Sequence, residues 1–148
     1  MSTVRFDPEW FERLEGVYLG MHAVPLLKQA IHESEFLPYF REKAAGMDIC
    51  HLEVAIALLR QVGTKGAYHE AAKYLEHPDF SIRFVAVKVI QSVLAVDEHI
   101  MRCVVDSLNK HKDDPVELAQ ELKVCLDRPS SPKAARIAGE YLSSTEVR

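Results

Sequence analysis

Two His-Glu dipeptides, His32-Glu33 and His69-Glu70, stand 37 residues apart. An imidazole beside a carboxylate is a natural donor pair for iron or zinc, provided the fold brings two such pairs to one place. His77 and His111 form a second spaced pair, 34 residues apart, and Cys50 is followed directly by His51. Each arrangement falls short of a site on spacing alone. The His-Glu pairs are out of register with the repeat described below, since stepping back 31 residues from His69 reaches Pro38. They read most simply as solvent-facing dipeptides. On a helix Cys50 and His51 point about 100° apart, a poor geometry for a nucleophile and its base. No Gly-rich phosphate loop, nucleophile elbow or zinc-protease motif occurs.

The elements that would position these groups read as helices throughout. Asp7-Pro8 is expected to start a helix, with Asp7 as cap, Pro8 at the first position and Phe6 packed on Phe11. Trp10, Leu14, Val17, Tyr18 and Met21 share its face, and Gly20 is its expected end. A short helix is expected from Pro25 to Glu33, carrying Ala30 and Ile31. Another starts near Ser34, with Pro38 in its first turns, and stops at Gly46. Regular helices are then expected at about 48–62, 65–76, 79–94, 97–110, 115–126 and 132–143. Asp79, Asp97, Asp114 and Ser131 are their expected caps, with Pro115 and Pro132 just inside. The turns between them are short, so neighbouring helices run antiparallel. No strand-like alternation is visible, and a sheet is not expected.

The helix after Pro78-Asp79 is apolar on almost every side. Ile82, Ala86, Val89, Ile90, Val93 and Leu94 cover one broad arc, which Val87 widens. Such a helix must be flanked by others over most of its circumference. The polar strip of Ser81, Lys88, Gln91 and Ser92 contains one aromatic residue, Phe84. Ala55, Leu58, Leu59 and Val62 recur 31 residues on as Ala86, Val89, Ile90 and Val93, and Ala71, Ala72 and Leu75 recur 33 on as Val104, Val105 and Leu108.

The formal charge of −4 disfavours a nucleic-acid backbone as partner, because that needs a basic stripe. Cys50, Cys103 and Cys125 are odd in number and widely spaced, and are expected to be buried free thiols in a reducing compartment. Asp7 and Glu9 occupy the place of a signal peptide's apolar run. The longest uncharged run, residues 16–27, is too short to span a bilayer. A cytoplasmic location without a membrane partner is expected.

Leu75 to Val93 resembles a HEAT-type repeat: Pro78-Asp79 occupies the turn, Ile82-Arg83 the valine-arginine position and Ala86 the spaced alanine. His77 stands where that family has its turn aspartate, and Glu117 fills the next arginine slot. A weaker resemblance, of residues 66–74, is to the middle of a tetratricopeptide repeat. The HEAT resemblance covers about residues 34–143. It implies an all-α fold, a short right-handed α-solenoid of stacked antiparallel hairpins. One domain over 1–148 is expected, with capping helices in 1–46, regular repeats in 47–126 and a C-terminal cap at 130–143. It further implies a non-catalytic module that binds another protein as scaffold, adaptor or toxin-neutralising inhibitor, without a cofactor. The binding strip would be Glu53, Ala57 and Arg60, then Phe84, Lys88 and Gln91, then Glu117, Glu121 and Val124. It is mixed in charge and unsuited to DNA. The competing expectation is a metal-dependent enzyme using His32, Glu33, His69 and Glu70, because deoxyhypusine hydroxylase, another repeat family, holds iron with such pairs.

Overall fold

The computed structural model describes residues 3–14 and 30–146. The fold is all-α, with eight α-helices among the described residues and a two-residue parallel strand pair. Two compact units divide the chain, Met1–Glu70 and Ala71–Arg148.

In the first unit β1 (Thr3–Val4) pairs with β2 (Ala30–Ile31), and α1 (Pro8–Arg13), α2 (Glu33–Lys43) and α3 (Ile49–Val62) surround an aromatic core. α4 (Lys65–Ala72) crosses the division between the units. Asp7 caps α1 by accepting the amides of Glu9 and Trp10, with Pro8 at the first position as expected. Phe6 packs on Phe11 at 5.6 Å between ring centroids and edge-on to Phe36 at 4.8 Å. α1 nevertheless stops at Arg13. Leu14 turns extended and is buried there, so the longer helix expected through Leu14 does not form. The expected end at Gly20 and the start of the next helix at Pro25 lie outside the described residues. Ala30 and Ile31 form a strand instead of a helical turn, and Ile31 is buried beside α3. Two residues are too few to display an alternating pattern, which is why sequence periodicity gave no sign of the pair. Pro38 stands inside α2, beyond its first turn. Gly63 ends α3 at φ 67°, a left-handed conformation that glycine adopts without a Cβ clash.

The second unit follows the expected helices closely. α5 spans Phe80–Gln91, α6 Glu98–Lys110, α7 Val116–Lys123 and α8 Pro132–Glu146, with single 3-10 turns at Lys73–Glu76 and Val124–Asp127. α5 packs on α7, and α6 packs on both α7 and α8. Two arginines explain the alignment of α5 and α7. Arg83 grips Asp114 through Nε (3.1 Å) and Nη2 (2.7 Å), joining the start of α5 to the turn before α7. Arg128, beyond the end of α7, donates to the Gln91 carbonyl at 2.7 Å and the Val93 carbonyl at 3.2 Å, just past α5. A backbone bridge reinforces that second end, with Val96 N–H donating to the Arg128 carbonyl and Ser130 N–H to the Val96 carbonyl. With both ends joined, α5 and α7 run side by side in the same direction.

Three expected details need correction. Asp97 and Ser131 cap as foreseen and Asp79 caps α5, but Asp114 does not cap α7 because its carboxylate is engaged by Arg83. Leu94 is 82 % exposed: α5 ends at Gln91, so the helical wheel no longer applies to it. Of the three free cysteines only Cys125 is buried; Cys103 is half-buried and Cys50 exposed.

Ala86 is fully buried, at the middle of the helix that α7 covers. Ala86→Trp is therefore expected to lower stability by about 1–3 kcal/mol or more, measured by chemical denaturation. Removing the partner of a largely buried arginine has a larger effect, since Arg83 and Asp114 are only 11 % and 15 % exposed. Asp114→Ala is expected to cost about 3 kcal/mol in the same assay, and a loss under about 1 kcal/mol would show that water takes over Asp114's role.

Candidate protein-binding face

The exposed strip of α5 is built by helical spacing. Phe80 and Phe84 are four residues apart, hence on one face, and their rings lie 6.2 Å apart. They remain 41 % and 43 % exposed, because the rest of α5 already meets the core through Ile82, Ala86, Val89 and Ile90. Each ring carries a cation: the Arg83 guanidinium lies 5.7 Å from the Phe80 centroid and Lys88 Nζ 5.3 Å from that of Phe84. Lys88 also pairs with Glu121 of α7, so a carboxylate borders the aromatic pair.

Of the residues expected on the binding strip, the structure thus brings together Phe84, Lys88 and Glu121. Glu117 is exposed in the first turn of α7. Gln91 closes α5, half-buried, its carbonyl held by Arg128. Ala57 and Val124 are half-buried. Glu53, half-buried, and Arg60, exposed, are on α3 in the first unit. Phe80 was missed as a site residue; its spacing of four from Phe84 was the available signal.

Several of the described histidines have structural roles. His32 caps α2, its Nδ1 accepting the Ser34 amide at 3.2 Å. Glu70, 9 % exposed, accepts from Arg41 Nε at 3.1 Å, and Glu33 lies nearby beside Gly66. His69 is half-buried. His51 turns its ring to the Asp48 carboxylate at 2.7 Å and the Phe11 carbonyl at 3.2 Å, tying α3 to α1. His77 accepts the Asp79 amide at 3.0 Å and stacks on Tyr74. His111 ends α6 with Nε2 buried, lacking a hydrogen bond and 3.8 Å from Glu76, which Lys110 also approaches. Among the described residues no three His, Cys, Asp or Glu side chains are grouped to share a metal ion. Burial pushes the Cys125 thiol up to about 11 and also raises Cys103, whose acidic neighbours Asp106, Glu76 and Asp97 add to the effect. Both thiols are thereby poor nucleophiles at neutral pH. No helix among the described residues is long and apolar enough to cross a membrane.

Compared with protein-family models, with curated proteins and with solved structures, the chain gives no match in any of the three.

Two capping carboxylates define an acid limit for the fold. The Asp79 carboxyl is held below its usual range by the Ser81 hydroxyl and amide, and Asp48 by the His51 amide and ring. A carboxyl depressed in the folded state stabilises the fold above its unfolded value of about 3.9 and loses that contribution as pH falls through the lower folded value. Stability is therefore expected to fall below about pH 4, and Asp48→Asn with Asp79→Asn should flatten that acid limb in pH-dependent denaturation.

Proposed function

We propose that the protein is a non-catalytic binding module of the cytoplasm, and that α5 presents Phe80, Phe84 and Lys88, with Glu121, to another protein. The exposed pair of phenylalanines is the observation that carries this reading. Two adjacent rings left in water, each under a cation and bordered by a carboxylate, have the make-up of an interface hot spot: an aromatic anchor with a polar surround. The mixed charge of Arg83, Lys88, Glu117 and Glu121 suits a partner surface carrying both signs, and offers no basic stripe to a nucleic acid.

The architecture we infer is a short HEAT-like α-solenoid. Its support is the side-by-side course of α5 and α7, the packing of α6 on α8, and the Arg83–Asp114 pair between successive hairpins. Scaffold, adaptor and inhibitor roles all use such a stack in the same way, as a rigid display of helix faces. The engagement of His32 with Ser34 and of Glu70 with Arg41 gives the metal-enzyme alternative no support.

Phe84→Ala is expected to reduce retention of the partner at least tenfold in quantitative capture from native extract, compared with the unaltered chain, while the melting temperature stays within about 3 °C. Lys88→Glu should slow association and change its salt dependence. A collapse of the melting temperature in Phe84→Ala would place the ring in the core and remove the face from consideration. Equal retention of every captured protein by the variant would do the same.

A further inference from the structure

A cleft of about 300 Å3 opens in the second unit, lined by residues of α5 to α8 and of the turn before α7 but not by Phe80 or Phe84. Its apolar lining comes from Val87, Leu108, Leu118 and Leu122, all buried, with Ala119 and the exposed Val116 beside them. Its charges are unbalanced. Asp114 is the one acid among the lining residues, and Arg83 already neutralises it with a two-point grip. Lys112 and Lys123 line the cleft with no ion-pair partner among the described residues. On a chain of net charge −4 this is a locally cationic recess.

A second feature is independent of the lysines. Ser107 lines the same cleft at 6 % exposure, and its hydroxyl has no hydrogen-bond partner among the described residues. A serine inside a helix ordinarily bonds back to a carbonyl of the preceding turn. Ser92 and Ser144 make bonds of that kind, to Val89 and Tyr141. The Ser107 Oγ keeps accessible surface in the cleft, so water bonds it there and the head of a ligand can take the water's place. The start of α7 lies nearby without a side-chain cap: Pro115 provides none, and Val116, the first residue of the helix, lines the cleft.

We propose that this cleft binds a small organic anion with a carboxylate head and an aliphatic body. Ser107 and one of the two lysines take the head, and Leu108, Leu118 and Leu122 take the body. The volume accommodates about ten heavy atoms at the roughly 30 Å3 that each occupies in a liquid, which is the size of octanoate. An apolar floor with a few convergent polar groups is the usual make-up of a small-molecule site. The lysine ammonium groups favour the ionised head over its neutral counterpart.

Octanoate titrated into the full chain, followed by methyl NMR, tests the proposal. Saturable shifts at Leu108, Leu118 and Leu122 are expected, with Kd of about 0.1–1 mM for a ligand of this size. Octanol and inorganic phosphate, each lacking one half of the ligand, should bind at least about fivefold more weakly. Lys112→Glu with Lys123→Glu should weaken octanoate by a similar factor or more, and Ser107→Leu should abolish the shifts by filling the recess. The charge-reversed variant is altered only at exposed positions, so it remains informative if Ser107→Leu does not fold. Absence of saturable shifts up to 10 mM octanoate, equal binding of octanol or phosphate, or unchanged affinity in the double lysine variant would each overturn the proposal. None of these outcomes bears on Phe84, which does not line the cleft.

Discussion

The second unit depends on one guanidinium. Arg83 uses Nε and Nη2 on Asp114 and Nη1 on the carbonyls of His77 and Pro78, at 2.9 and 3.0 Å, so it binds its own turn as well as the next one. Taking two charges from water is costly, and the Coulombic attraction offsets that cost only when the remaining donors are satisfied. The two carbonyls meet that condition. Arginine is suited to the task because its planar fork matches a carboxylate with two parallel bonds, which a lysine cannot do. The pair fixes the start of α7 beside that of α5, and Arg128 fixes the other end.

This choice has a consequence for α7. An aspartate directly before Pro115 would ordinarily cap the helix. Held by Arg83, Asp114 leaves the first turn of α7 without a side-chain cap, next to the cleft that holds Ser107 and Lys112. The same interaction that aligns the helices therefore leaves the start of α7 without a side-chain cap at the recess.

The first unit is stabilised by different means. Phe6, Phe11, Phe36 and Tyr39 form a cluster of tilted and edge-on rings, and Tyr39 donates its hydroxyl to Glu12. His51 adds polar bonds at the edge of that cluster, to Asp48 and to the Phe11 carbonyl. Aromatic area and a few directed bonds hold the short α1, whose six residues would not be helical alone.

Residues 48–143 were largely legible in the sequence because helix boundaries there are set locally. A capping aspartate, a proline at the first position and a period of 3.6 act within a few residues, so α3 to α8 fall close to their expected limits. The place of Phe84 on the polar strip of α5 was legible for the same reason, but whether another segment covers its ring was decided only by the tertiary structure, which leaves it 43 % exposed. What the sequence left open depends on residues far apart in the chain. Arg83 finds its carboxylate 31 residues on at Asp114, which local rules had assigned to a cap. β2 forms because Thr3–Val4 supplies a partner from near the start of the first unit, and a strand has no hydrogen bonds of its own. The cleft and its unpaired Ser107 likewise exist only where α6, α7 and α8 converge. Local geometry can be read from neighbours in sequence, whereas a charge, a strand or a cavity acquires its role from whichever distant segment is packed against it.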